Sequence, residues 1–168
     1  LDKDDTFFLE NDYEIIQKYN NKEIFEIINK IKTYWKLLED NNVIHFEEPC
    51  PYWEPDQTKE VTEALSIDVT GGEQDCDLRI WRDMVNQKIV NIFQPDVMYL
   101  GGLTRTLQVA KLIEDGGFIC TPHAANLSLV TMCTMHLLKA IPNAGPYLEL
   151  SIEGEDYYPW QQELFLDN

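Results

Sequence analysis

Five residues that can bind metal or move protons follow one another along the chain at nearly regular intervals. They are Glu47, Glu73, Asp96, His123 and Glu149, and the intervals between them are 26, 23, 27 and 26 residues. Each lies at or near the end of a segment whose apolar residues predict a β-strand. A strand–helix unit of a (β/α)8 barrel takes about that many residues, and active sites of such barrels lie at the carboxyl ends of the strands. We therefore expect the five side chains to converge on one ring.

The residue types indicate which chemistry this ring would perform. Carboxylates that converge without cysteine or paired histidine favour a hard cation with oxygen ligands, Mg²⁺ before Zn²⁺. Such a cation would stabilise the enediolate formed when a proton leaves the carbon next to a substrate carboxylate. A base with a pKa near neutrality must accept that proton, and histidine is the natural candidate. We expect His123 to be this base, hydrogen-bonded to Asp96 on the neighbouring strand.

The segments between these residues predict the elements that position them. Short strands are predicted at 43–46, 67–70, 89–93, 118–121 and 147–152. Helices are predicted at 57–65, at 77–87, around Leu103 to Ala110 and at 127–140, after an earlier helical face that runs from Ile24 to Leu38 and ends at Asn41-Asn42. Strands that alternate with helical segments imply βαβ units and a parallel sheet. The sequence therefore predicts an α/β fold that forms part of a TIM-type (β/α) barrel, with its later strands and helices.

The barrel portion is expected to span residues 21–152, between a polar N-terminal segment of unassigned placement at 1–20 and a C-terminal tail at 153–168. We expect His45 to be structural, because alternation along its strand should turn it away from the neighbours of Glu47. Asn126 and Ser128 are expected to cap the helix that follows His123, and contact with the substrate is the alternative role for them. The side chains of Trp35 and Trp81 are expected to anchor outer helices to the core.

The composition excludes several classes of partner. The 168 residues are 44% apolar, which fits one globular domain, and 30 acidic residues against 13 basic ones give a net charge of −17. Nucleic-acid binding needs a surplus of Lys and Arg, and an anionic membrane is disfavoured for the same reason. No apolar run approaches the ~18–20 residues that span a bilayer. The four cysteines form no CxxC pair, which favours reduced thiols and predicts a cytoplasmic protein.

Five short motifs surround the chemical residues in order. They are Phe46-Glu47-Glu48-Pro49, Gly71-Gly72-Glu73-Gln74, Gln94-Pro95-Asp96, Thr121-Pro122-His123 and Tyr147-Leu148-Glu149. Over roughly Trp35 to Trp160 the chain resembles the mandelate racemase subgroup of the enolase superfamily. The resemblance implies that Glu47 and Glu73 bind Mg²⁺ and that Asp96 and His123 form the base dyad. It further implies that Glu149 hydrogen-bonds the developing enediolate and that Glu48 is structural.

The chain departs from the pattern of that subgroup toward its N-terminus. The first metal ligand of the subgroup is an aspartate in a D-x-N motif, and the matching offset falls on Asn21 here. The K-x-K base motif of the subgroup is expected upstream of Leu1. Lys30-Ile31-Lys32 instead lies within the predicted helix and is expected to be a solvated face. The capping domain and the first barrel strands are expected to be absent or mostly absent from these residues.

The expected activity is that of a Mg²⁺-dependent lyase, an acid-sugar dehydratase that converts a sugar acid to a 2-keto-3-deoxy acid. His123 would take the α proton and return it to the departing 3-hydroxyl. Two alternatives remain open. One is a racemase or epimerase of a 2-hydroxy acid, which needs a base on each face of the carbanion, and the other is a barrel-derived module without catalysis. We expect a small-molecule carboxylate as the substrate, a homo-oligomer, and no binding to nucleic acid or membrane.

Overall fold

The computed structural model describes residues 36–124 and 128–150. Contacts within the chain divide it into two compact units, Leu1–Val43 and Ile44–Asn168. In the first unit, residues 36–40 are helical, and the N–H of Val43 donates to the carbonyl of Leu38 across Asn42, which has a left-handed φ of 57°. This C-terminal cap confirms the predicted break at Asn41-Asn42. The predicted helical residues before 36 lie outside the described ranges.

The second unit contains a four-stranded parallel sheet in which each strand pairs with the next one along the chain. The strands are β1 (His45–Glu47), β2 (Asp68–Gly71), β3 (Ile92–Phe93) and β4 (Ile119–Cys120). The register aligns Glu47 with Thr70 and Thr70 with Ile92. Parallel neighbours require crossover connections, and a helix occupies each of the three between these strands. This order confirms the predicted α/β fold and its partial (β/α) barrel.

Four helices accompany the sheet, and the local sequence determines where two of them begin. The helices are α1 (Pro55–Ala64), α2 (Leu78–Gln87), α3 (Leu103–Asp115) and α4 (Leu129–Ala140). Asp77 caps α2, where its carboxylate accepts a hydrogen bond of 2.8 Å from the N–H of Arg79. Ser128 caps α4 by accepting from the N–H of Val130 at 3.1 Å. The capping prediction is confirmed for Ser128, whereas Asn126 lies outside the described residues.

The core lies where α2 packs against the sheet. Trp81 of α2 is fully buried, and its indole N–H donates to the carbonyl of Asp75 at 2.9 Å. The ring lies 6.3 Å from that of Phe93 in β3, measured between centroids. A Cβ at Gly72, whose φ is +107°, would lie 2.8 Å from this indole, so the turn that leads into Glu73 requires glycine. Trp81 is thus the core anchor that was predicted, and Trp35 lies outside the described residues.

The segment predicted as a fifth strand does not form one within the described residues. Residues 147–150 form no strand, and an isolated parallel bridge joins Ala144 to Cys120 instead. Pro146 follows the bridge and has no N–H with which to continue the ladder, so the pairing ends there. The prediction of a strand over 147–150 is therefore wrong, and residues 151–152 lie outside the described ranges.

The described cysteines form no disulfide bonds. Cys50, Cys76, Cys120 and Cys133 are all free. Burial raises the pKa of the Cys120 thiol to about 12, so this cysteine behaves as a small apolar core residue. Within residues 36–124 and 128–150, no helix has the length and apolar character needed to cross a membrane.

Candidate active site

The carboxyl edge of the parallel sheet carries the residues singled out from the sequence. Glu47 is the last residue of β1, Glu73 lies two residues beyond β2, and Asp96 and His123 lie three residues beyond β3 and β4. Because the strands are parallel, all four lie at one edge of the sheet. Glu149 reaches the same edge, where its Oε2 accepts a hydrogen bond of 3.1 Å from the N–H of Ala124. Glu73, Asp96 and Glu149 each lie within 4 Å of His123.

The side chains of His123 and Asp96 form a buried pair. The distance from His123 Nδ1 to Asp96 Oδ2 is 2.7 Å, and both residues are less than a tenth exposed. The other carboxylate oxygen of Asp96 accepts hydrogen bonds from the N–H groups of Met98 at 2.6 Å and Tyr99 at 2.9 Å. Three donors therefore hold this carboxylate, which in turn fixes the plane of the imidazole.

The second ring nitrogen of His123 faces two more carboxylates. Nε2 lies 3.2 Å from Glu73 Oε2 and 3.6 Å from Glu149 Oε2. The side chain of Glu149 is 42% exposed, whereas that of Glu73 is 15% exposed, so this side of the imidazole opens toward solvent past Glu149. A ligand that enters along Glu149 would meet Nε2 directly.

The surroundings shift the pKa values of this group in opposite directions. Burial would raise the pKa of Asp96, but hydrogen bonds from His123 and from two backbone N–H groups outweigh it and hold the value below the usual range. Burial would lower the pKa of His123, but the hydrogen bond with Asp96 and the charges of Glu73 and Glu149 raise it above its usual value. An ionised Asp96 can only accept, so the proton of the shared hydrogen bond is on Nδ1.

Glu47 lines a cavity of about 210 Å³ on the inner face of the sheet, beside Glu149. We call this space the inner cavity, and its lining includes His45, Glu47, Thr70, Gln94, Thr121 and Glu149. His45 and Glu47 are two positions apart on β1 and share this face. The expectation that alternation turns His45 away from the surroundings of Glu47 is therefore wrong, since a period of two places both on one side. The ring of His45 lies 6.3 Å from that of Tyr147.

The donor chemistry at this edge suits one kind of metal ion. In residues 36–124 and 128–150, no three side chains of His, Cys, Asp or Glu form a group that holds a metal by itself. Mg²⁺, however, is usually bound by one or two carboxylates and keeps several waters, and the ends of neighbouring strands supply Glu47 and Glu73. Burial raises the pKa of Glu73, and the charges of Glu48, Glu47 and Glu149 raise it further. A cation would offset this repulsion, so Glu47 and Glu73 fit Mg²⁺. Asn21, the position that matches the first metal ligand of the subgroup, lies outside the described residues.

Glu48 lines a different space from its neighbour Glu47. A cavity of about 330 Å³, mostly apolar, lies between α1 and α2 and is lined by Glu48, Asp75 and residues of both helices. Burial and the charge of Glu47 raise the pKa of Glu48, and burial together with Glu48 raises the pKa of Asp75. The charge of His123 acts in the opposite direction and lowers the pKa of Glu48.

Two features of the site were not foreseen from the sequence. The ring of Tyr99 is half exposed and stacks near His123, with centroids 6.3 Å apart and planes at 22°. Gln94 and Thr121 lie two residues before Asp96 and His123, and both line the inner cavity. A signal for this second pair was present in the sequence, because Gln94 and Thr121 begin the motifs that contain Asp96 and His123.

Comparisons with known proteins agree with this architecture. The family model described as Enolase C-terminal domain-like matches residues 27–168. The crystal structure of a protein from Roseobacter denitrificans, described as a "putative racemase", is 62% identical and superimposes with a TM-score of 0.73 over 79% of this chain and 36% of that chain. A mandelate racemase/muconate lactonizing protein from Paracoccus denitrificans, crystallised with magnesium, is 28% identical with a TM-score of 0.67, over 71% of this chain and 32% of that chain.

A curated relative is named for a reaction on a sugar acid. The arabinonate dehydratase of Saccharolobus solfataricus is 23% identical over 121 residues, which cover 72% of this chain and 32% of the relative. The chain thus spans about a third of the length of the curated relatives that it matches. The matched family and the fold agree with the resemblance that the five motifs indicate.

Proposed function

Because the chain belongs to the Enolase C-terminal domain-like family, we propose that it removes the proton α to the carboxylate of a small-molecule acid, with His123 as the base. We infer that the reaction is the dehydration of a sugar acid to a 2-keto-3-deoxy acid. The observation that supports this most strongly is the arrangement around His123. Its Nδ1 is held by Asp96 at 2.7 Å, while its Nε2 faces the open side of the site.

The proton transfers follow from the tautomer of His123. When the imidazole is neutral its proton is on Nδ1, so the lone pair of Nε2 is free to accept the α proton. The electrons of the broken C–H bond move toward the substrate carboxylate. Nε2 then returns the proton to the 3-hydroxyl, whose C–O bond breaks, and one water leaves. The remaining enol tautomerises to the 2-keto acid, so the substrate yields one product and one water.

The other residues have supporting roles in this proposal. Asp96 orients the imidazole and stabilises its cationic form. Glu149, whose Oε2 accepts a hydrogen bond from the N–H of Ala124, would act as the acid that donates a hydrogen bond to the developing enediolate. Glu47 and Glu73 would hold Mg²⁺, which supplies positive charge beside the substrate carboxylate and lowers the free energy of the anion formed there.

The choice of a sugar acid is supported by chemistry and by similarity. A single base on one face is sufficient when the α proton and the hydroxyl leave from the same side, and His123 is the residue that we propose for that base. The similarity to arabinonate dehydratase points to the same class of substrate. The Paracoccus denitrificans relative crystallised with magnesium supports the choice of metal.

A racemase or epimerase of a 2-hydroxy acid is the second candidate. The 62% identity to the Roseobacter denitrificans protein favours it, since that protein is described as a "putative racemase". Racemisation needs a second base on the opposite face of the carbanion, because the proton must return from the side that it did not leave. The product therefore distinguishes the two reactions.

The test is a screen of sugar acids and 2-hydroxy acids in D₂O with Mg²⁺, followed by NMR. Dehydration predicts loss of the α-proton signal together with a new 2-keto-3-deoxy product. Deuterium incorporation with inversion and without a keto product would replace the dehydratase with the racemase. If neither occurs with any acid in the panel, the proposal fails and a module without catalysis remains.

A further inference from the structure

Three buried polar atoms in the inner cavity have no hydrogen-bond partner among the residues that the structure describes. They are Thr70 Oγ1, Gln94 Oε1 and Thr121 Oγ1. Thr70 is only 2% exposed and Gln94 only 6%. Buried polar groups in folded proteins nearly always have a partner, and leaving one unpaired costs roughly 1–3 kcal/mol. Three such atoms that line one cavity indicate that this space is built to satisfy them.

Thr70 differs from the other two in its position relative to Glu47. The two residues are direct partners in the register of β1 and β2, and both line the inner cavity. Neighbouring strands of a sheet lie about 4.7–4.9 Å apart, so a hydroxyl and a carboxylate at paired positions on one face are within reach of each other. A hydroxyl can donate, and a carboxylate is an acceptor with two oxygens.

We propose that Thr70 is a positioning residue for Glu47: its hydroxyl, which has no partner in this structure, donates a hydrogen bond to the Glu47 carboxylate when Mg²⁺ is bound and holds it in the orientation that binds the ion. This inference rests on the proposed function, in which Glu47 is a metal ligand. Metal-binding carboxylates are generally hydrogen-bonded by a neighbouring group, and removal of such a group typically weakens metal affinity about 10–100-fold. The orphaned hydroxyl of Thr70 thereby gains an acceptor.

The remaining two atoms do not fit this role. Gln94 Oε1 is an acceptor and cannot donate to a carboxylate. Thr121 follows β4, which is separated from β1 by two strands, and its hydroxyl packs against Gly145, where a Cβ would collide with it. Thr121 is therefore a matched control, since it carries the same side chain in the same cavity, far from Glu47 in the sheet order.

The experiment measures binding of Mg²⁺ alone to the full-length protein by titration calorimetry. Thr70→Val keeps the shape of the side chain and removes the hydroxyl, and we expect it to weaken Mg²⁺ binding about tenfold. Thr70→Ser restores the hydroxyl and is expected to recover most of the affinity, while Thr121→Val is expected to bind as the wild type does. Thermal unfolding in EDTA is the second readout, and there Thr70→Val is not expected to lower the melting temperature, because it removes an unpaired buried hydroxyl.

Unchanged Mg²⁺ affinity in Thr70→Val would overturn the inference, and so would an equal loss in Thr121→Val, which would indicate a general packing effect. Glu47→Gln separates this failure from that of the proposed function. If Glu47→Gln loses Mg²⁺ binding while Thr70→Val keeps it, only the role of Thr70 is wrong. If Glu47→Gln binds Mg²⁺ as the wild type does, Glu47 is not a ligand, and the metal assignment fails together with this inference.

Discussion

His123 Nδ1 lies 2.7 Å from Asp96 Oδ2, so the segment after β4 is joined to the segment after β3 by one short buried hydrogen bond. The same imidazole presents Nε2 to Glu73 at 3.2 Å and to Glu149 at 3.6 Å. One histidine therefore connects the ends of three strands with the segment that follows the Ala144 bridge. The stability and the chemistry of this edge depend on the protonation of His123.

Asp96→Asn is expected to lower the pKa of His123 and to destabilise the metal-free protein. A folded pKa above the ordinary 6.5 means that protonated His123 adds stability, which is complete below pH 6.5 and is lost as the pH rises through the folded value. The pKa of Asp96 is lowered in the folded protein, so ionised Asp96 adds stability above its ordinary pKa of 3.8. That stability is lost as the pH falls through the pKa of the folded protein. The gap in unfolding free energy between wild type and variant should thus be largest between pH 3.8 and 6.5 and narrow above.

Asp77→Asn is the control for this experiment. The hydrogen bonds from Arg79 lower the pKa of Asp77 to about 2, but the guanidinium does not titrate near neutrality. The difference in unfolding free energy between wild type and Asp77→Asn should therefore stay constant from pH 6 to 8. Over the same range, urea unfolding should give a decreasing difference between wild type and Asp96→Asn. A constant gap in both variants would mean that Asp96 does not act through His123.

Glu73→Gln is expected to stabilise the metal-free protein at pH 7 and to abolish its response to Mg²⁺. Burial and the charges of three neighbouring carboxylates raise the pKa of Glu73 and outweigh the charge of His123, which lowers it, so the ionised form of Glu73 costs stability above the ordinary pKa. Removing the charge removes this cost and also removes a ligand. Melting temperatures in EDTA and in Mg²⁺ measure both effects.

Glu63→Gln, on the exposed surface of α1, is the control for the Glu73 variant. Its carboxylate lies 3.7 Å from Lys59 and is two-thirds exposed, so neither melting temperature should change appreciably. The assignment of Glu73 is contradicted if its variant keeps the full Mg²⁺ response or melts lower than the wild type in EDTA.

Gly145→Ala is expected to destabilise the fold by about 1–3 kcal/mol, the usual cost of overpacking. A Cβ at this position would collide with Thr121 Oγ1 and lie 3.0 Å from a methyl carbon of Ile119. Thr121→Ala in the same chain should recover part of the loss, because it removes the colliding hydroxyl. Chemical unfolding of both single variants and the double variant gives the coupling free energy, and strict additivity would refute this contact.

The helices were predictable, because apolar residues recur along their buried faces. The strand order was predictable, because each strand is followed by a helix that returns the chain to the next parallel strand. Strand lengths were less so. Residues 89–93 were predicted as a strand, but only Ile92–Phe93 pair in the sheet. Ile89 and Val90 are buried before the strand begins, and the side chain of Asn91 replaces a ladder partner by accepting from the N–H of Val69 at 2.8 Å. A hydrophobic run reports burial and does not distinguish a strand from the turn that enters it.

The ring of chemical residues was predictable because parallel strands bring their carboxyl ends to one edge. Within the ring, the predicted hydrogen bond between His123 and Asp96 is confirmed, because neighbouring strands bring the two residues together. The other contacts could not be predicted, since they depend on side-chain conformations that the spacing does not encode. The hydrogen bond from Ala124 to Glu149 and the stacking of Tyr99 near His123 are of this kind. The roles of the five residues stay predictions that functional measurements must test.

The most direct measurement is the exchange of the substrate α proton in D₂O, compared between wild type and His123→Asn. Asparagine keeps a similar volume and can still hydrogen-bond Asp96, whereas it cannot accept a proton at neutral pH. With a sugar acid that the wild type converts, we expect the variant to lose exchange and elimination by about 10²–10⁴-fold while Mg²⁺ binding is retained. His136→Asn, an exposed histidine of α4, should behave as the wild type does. Undiminished exchange in His123→Asn would contradict the assignment of His123 as the base and with it the proposed mechanism.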